Sequence, residues 1–352
     1  MSTPNPLAAG GPAQNVSKTT LPIAGLHVDI YGLTELPPSA QSISCLWLHH
    51  PRLRAKEDMS TIASLALSSW HRHPSSSSSS SSSSPRGLIA VAFDQRNHGT
   101  RKISDVANQA WRQGNKTHAQ DMFGIVSGAV VDTSLLLDGL EGYIFGNGEH
   151  GGPGRKVDQH LALGVSLGGH SVWQALFAEP RITAGVAVIG CPDYVALIRD
   201  RARLSKLETF SAADGGSSFL GSRDFPAALV GAVGKYDPKG LLFGTGDISF
   251  PTSEAEQKRL KPALDKTIRG KKFQVLSGGK DKLVPYAKSE PFLDFFKSAV
   301  ETWYKDGGVS VEDIVYPDAG HEFNETMMND AVRFIVDVVS DAHKGQTATA
   351  KI

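Results

Sequence analysis

Three residue types in one order carry the chemistry that this chain could perform: a serine, then an aspartate, then a histidine. Ser166 stands in "GVSLGGH", a Gly-x-Ser-x-Gly pattern with the apolar run "HLALGV" before it and the helix-patterned "HSVWQALF" after it. A serine hydroxyl is a weak nucleophile at neutral pH. It needs a base to take its proton, a third group to orient that base, and donors for the oxyanion that forms. A strand-to-helix turn with glycines at 164 and 168 would present the serine on a sharp bend.

The base is expected on a loop after the last strand. "VYPDAGHEFN" places His321 there, behind the turn-forming Asp318, Ala319 and Gly320. His71 and His73 flank a serine run and read as surface residues, and His170 reads as a helix residue. The orienting acid is expected after a late strand. "FQVLSGGKDKLVPY" offers Asp281, and Asp193 in "GCPDY" is its competitor. Asp281 is preferred for its nearness to the last strand. One oxyanion donor is expected to be the backbone N–H of Leu167. The second is sought in "LHHPRLR" (Leu48–Arg54), where Pro51 has no N–H to give and Arg52 is the choice.

The elements that must position these groups alternate. Short apolar runs read as strands: "SISCLWL", "GLIAVAFD", "HLALGVS", "AGVAVIGC", "FQVLSG" and "SVEDIVYP". Between them lie amphipathic stretches, including a long one over Thr117–Leu140 and a last one over Glu325–Val339. Such alternation predicts a doubly wound α/β fold with a mostly parallel sheet flanked by helices. "LHVDIYG" (Leu26–Gly32) could add an antiparallel edge strand. Residues 1–22 read as a disordered lead-in, 23–343 as one α/β domain, and 344–352 as a flexible tail. The polyserine run at 75–84 reads as a surface loop, and the break in alternation at about 194–271 as a cap insertion over the strand ends. Within it, "RDRARLSK" (Arg199–Lys206) reads as a solvated helix face.

The 352 residues carry 36 Lys+Arg and 36 Asp+Glu, so no basic excess points to nucleic acid. No uninterrupted apolar run approaches the length of a membrane span. The two cysteines, Cys45 and Cys191, are no disulfide framework. They read as reduced thiols, and with no secretory signal evident the expectation is a cytoplasmic protein. No HExxH or CxxC pair occurs, and neither metal nor cofactor is expected. "NKTHAQDM" reads as a capped helix start, and "DQRNHG" (Asp94–Gly99) as a loop held by polar contacts.

Taken together, "LHHPR", "FDQRNHGTR", "GVSLGGH", "GGKDKLVP" and "DAGHEFN" resemble the α/β-hydrolase superfamily over roughly residues 26–339, with esterase-like and prolyl-oligopeptidase-like catalytic domains the nearest in kind. The resemblance implies an α/β-hydrolase fold and a cofactor-independent serine hydrolase, with Ser166, Asp281 and His321 as triad and Leu167 and Arg52 as oxyanion donors. A small-molecule acyl compound, first of all a carboxylic ester, is the implied substrate. Peptide amides, or binding without catalysis, are the alternatives. Pro51 and the cap depart from the family's pattern.

Overall fold

The computed structural model describes residues 5–7, 16–76, 85–146 and 154–349. Eight strands form one sheet: β1 (Lys18–Ile23), β2 (Leu26–Tyr31), β3 (Ser42–His49), β4 (Arg86–Phe93), β5 (Lys156–Val165), β6 (Ile182–Val188), β7 (Lys272–Gly278) and β8 (Ser310–Tyr316). Their spatial order is β1-β2-β4-β3-β5-β6-β7-β8. β1 and β2 run antiparallel and join β4 antiparallel, while every later pairing is parallel. The central strands are buried on both faces, which is why they read as unbroken apolar runs.

The helices are α1 (Ser60–Arg72), α2 (His118–Phe145), α3 (Leu167–Ala178), α4 (Tyr194–Ser205), α5 (Ala227–Tyr236), α6 (Pro238–Phe243), α7 (Glu254–Thr267), α8 (Glu290–Glu301) and α9 (Glu325–Thr349). α1 and α9 cover one face of the sheet through Ile62, Leu67, Trp70, Met327 and Ile335. α3, α7 and α8 cover the other through Trp173, Leu260, Leu264, Phe292 and Phe296. α2 serves two cores. Its second half gives Val130, Leu136, Leu137 and Leu140 to the sheet. Its first half gives Met122, Phe123 and Val126 to a separate cluster with Tyr194, Ile198, Phe219 and Phe225.

Four expectations change. The lead-in does not extend to residue 22, because Lys18–Ile23 pairs with β2 and the carbonyl of Pro6 accepts the Phe323 N–H at 2.7 Å. Pro22 masked this strand, but β1 is an edge strand, where a missing N–H is tolerated. The tail expected from residue 344 is helical to Thr349, as a continuation of α9. The cap is smaller than 194–271. Leu260, Leu264 and Ile268 lie in the core against the sheet, so α7 is a crossover helix, and the part with its own core is α4 to α5. α2 is long and apolar enough to cross a membrane by length and composition, although aspartates interrupt it in sequence, and 61% of its apolar window is buried inside the protein. Of the polyserine run, 77–84 lies outside the described residues, and Ser75 and Ser76 end a short 3-10 turn.

Candidate active site

Ser166 sits between the end of β5 and the start of α3, at φ 56° and ψ −111°. A non-glycine residue in that region carries strain on the order of 1–3 kcal/mol, and the surroundings must impose it. They do so by close approach. A β-carbon at Gly164 would lie 2.1 Å from the Gly168 carbonyl oxygen, and one at Gly168 would lie 2.1 Å from that of His49. The Ser166 N–H is spent on the Val188 carbonyl at 2.9 Å. The bend therefore pushes the side chain out over the carboxyl ends of the strands, where open α/β sheets bind ligands.

His321 arrives on the loop between β8 and α9. Its Nε2 lies 2.8 Å from Ser166 Oγ, and its Nδ1 lies 2.7 Å from Asp281 Oδ2. The other oxygen of Asp281 accepts the N–H groups of Leu283 and Val284 at 2.8 and 2.9 Å. That fixes the carboxylate and leaves Oδ2 for the histidine. Because the carboxylate can only accept, Nδ1 carries the proton and Nε2 is free to accept from the serine. Asp193 is elsewhere: it caps α4 by accepting the Ala196 N–H at 2.9 Å.

Leu167 is the first residue of α3, so its N–H is among those that a helix leaves unpaired, at the positive end of the helix dipole. Arg52 lies on the loop after β3, and both line the same cavity as Ser166. That loop is rigidly held. His50 Nε2 accepts the Gln95 N–H at 3.0 Å while its Nδ1 donates to the Pro51 carbonyl at 2.9 Å. Burial pushes the His50 pKa down to about 3, which keeps the ring neutral for both contacts. Gln95 also accepts from Ser171 of α3 at 3.2 Å, tying the donor loop to the helix after the serine.

The remaining motifs serve architecture. Asp94 accepts the N–H groups of Lys56 and Thr100 at 3.0 and 2.9 Å, and Arg96 and Arg101 pair with Asp132. His170 Nδ1 accepts the Cys191 N–H at 2.9 Å. His118 is buried edge-on against Trp111 at 4.9 Å, and its Nδ1 lies 2.8 Å from the Gln109 carbonyl. Cys45 and Cys191 are both free and buried.

Sequence reasoning missed Arg201. The "RDRARLSK" stretch is not uniformly a solvated face, because Arg201 lines the cavity beside Ser166. The signal was available: Arg201 follows Leu197 by four and Ile198 by three residues, on the buried side of α4. The cavity at Ser166 is narrow, about 20 Å³, room for about one water. It adjoins an outer pocket of about 220 Å³ that shares Arg52, Leu197, Arg201 and Leu283 with it.

No family model matches the sequence, and no curated protein matches it. Solved structures do. TT1662 from Thermus thermophilus superposes with a TM-score of 0.52 at 16% identity, over 93% of this chain and 99% of that one. Puromycin hydrolase gives 0.50 at 15% identity over 94% of this chain and 39% of its own. A putative dipeptidyl aminopeptidase IV from Bacteroides ovatus gives 0.50 at 12% identity over 91% of this chain and 35% of its own. This chain thus spans little more than a third of each of the latter two. At 12–16% identity the likeness is one of structure rather than of sequence, and it establishes that the chain has the α/β-hydrolase fold.

Proposed function

We propose that the protein is a serine hydrolase that cleaves a carboxylic ester through an acyl-enzyme. The observation that supports this most is the unbroken relay from Asp281 Oδ2 through His321 to Ser166 Oγ, at 2.7 and 2.8 Å. Ser166 Oγ attacks the acyl carbonyl as His321 Nε2 takes its proton. The carbonyl electrons move to oxygen, which Leu167 and Arg52 N–H groups receive. Asp281 stabilises the imidazolium. Collapse of the intermediate expels the alcohol, which takes the proton back from His321. Water then repeats the sequence to free the acid and restore the serine.

A serine at the bend suits acyl transfer, since its oxygen forms an ester that water can reopen. A fluorophosphonate probe tests the reading. It is expected to label the wild type and not Ser166→Ala, and absent or equal labelling rejects it. Matched esters and amides then separate the alternatives: faster cleavage of a short peptide amide than of its ester makes the protein a peptidase instead.

A further inference from the structure

We infer that the substrate carries a carboxylate close to its scissile bond, and that the guanidinium groups of Arg201 and Arg52 receive it. This rests on the serine-hydrolase reading and adds the chemical class of the substrate. Both arginines line the narrow cavity that holds Ser166, and both also line the larger pocket beside it.

Arg201 lacks an anion. Among the described residues it forms no ion pair, its Nε is buried with no hydrogen-bond partner, and its Nη2 only reaches the Leu283 carbonyl at 3.4 Å. The nearby carboxylates are taken. Asp281 gives one oxygen to His321 and the other to two backbone N–H groups. Asp200 receives Arg203 at 2.8 Å and Lys288 at 3.7 Å. Arg52 is held at the pocket by its Nη1, which donates to the Asn108 carbonyl at 2.6 Å.

Two guanidinium groups in one secluded space repel each other. Burial and the charge of Arg201 together push the Arg52 pKa down to about 10. A carboxylate between them would relieve that repulsion and meet the fork geometry in which guanidinium holds an anion by two parallel hydrogen bonds. The outer pocket adds Arg112 and Lys282 against one carboxylate, Asp200, which Arg203 and Lys288 already neutralise, so its lining is net cationic and favours an anion. The residue at 201 then acts in specificity, by setting where the substrate's charge must sit relative to the carbonyl.

The carboxylate could belong to the acyl group or to the leaving group, and paired substrates distinguish them. Monoethyl glutarate against ethyl pentanoate reads the acyl side. The butyrate ester of 4-hydroxybenzoate against that of 4-hydroxybenzamide reads the leaving-group side. The wild type is expected to favour the anionic member of one pair by at least about tenfold in kcat/KM, with the gain lost in Arg201→Gln and falling as salt rises. The pair that shows it identifies the side. Labelling and turnover of neutral esters with no anionic preference in either pair overturn this inference alone. An anionic preference that survives Arg201→Gln overturns it too, and the wild-type comparison stands even if that variant fails to fold. Absence of fluorophosphonate labelling rejects the hydrolase reading and this inference with it.

Discussion

A β-carbon on Gly278 would lie 2.3 Å from the carbonyl oxygen of Gly320. The strand end that leads to Asp281 and the loop that carries His321 thus meet backbone to backbone. Two further hydrogen bonds fasten them, Gly279 N–H to the Tyr316 carbonyl at 2.8 Å and Lys280 N–H to that of Ala319 at 2.9 Å. Gly278→Ala must push the two loops apart. Since a misplacement of about 1 Å can lower a rate about a hundredfold, kcat is expected to fall by about that factor. Gly231→Ala, on an open helix face, should keep full turnover and raise stability by about 0.5–1 kcal/mol. Ester kinetics and thermal unfolding of the two variants check the contrast.

The strained backbone at Ser166 makes activity and stability separable. Ser166→Ala should lower kcat by several orders of magnitude, roughly 10⁴-fold or more. Ser166→Gly should be equally inactive, yet unfold at a temperature no lower than the wild type, because glycine enters the left-handed region without a side-chain penalty. A Tm for Ser166→Gly well below that of Ser166→Ala would contradict the account of the bend.

The two candidate aspartates predict opposite outcomes. Asp281→Asn removes the charge that stabilises the imidazolium and can turn the ring to the wrong tautomer, so kcat should fall by about 10⁴ with KM little changed. Asp193→Ala removes the cap of α4 and should cost about 1 kcal/mol of stability, with kcat within a fewfold of wild type. Paired measurements of kcat and urea midpoint separate them.

Five buried histidines make the fold sensitive to acid. Burial lowers the pKa values of His49 and His160 to about 4 and those of His50, His118 and His170 to about 3. Each folded value lies below the unfolded value near 6.5, so the unfolded chain takes up protons first as pH falls. Their neutral burial is fully compatible with folding above pH 6.5, and stability is lost as pH drops from there toward 4 and below. The loss approaches about 1.4 kcal/mol per pH unit for each histidine. Urea midpoints at pH 7, 6 and 5 should fall steadily. A flat profile over that interval would show that these rings are already solvated.

The fold was legible because periodicity and length of the runs were unambiguous. Each of the central strands is buried on both faces, and such strands leave a continuous apolar signature. The order of Ser166, Asp281 and His321 was legible because each follows a strand. What stayed hidden depends on which neighbour a residue meets. β1 was masked by Pro22, whose place on a sheet edge cannot be read locally. α7 looked like cap because its sequence is highly charged, yet Leu260, Leu264 and Ile268 suffice to bury one side. Arg201 looked solvated because its neighbours Arg199 and Arg203 set the impression, while its own phase on α4 turns it inward.

α2 belongs to both cores, with Met122, Phe123 and Val126 under the cap and Val130, Leu136 and Leu140 on the sheet. Roof and floor therefore share one beam. Tyr194 of α4 is the latch between them, its hydroxyl donating to the Ala119 carbonyl of α2 at 2.6 Å.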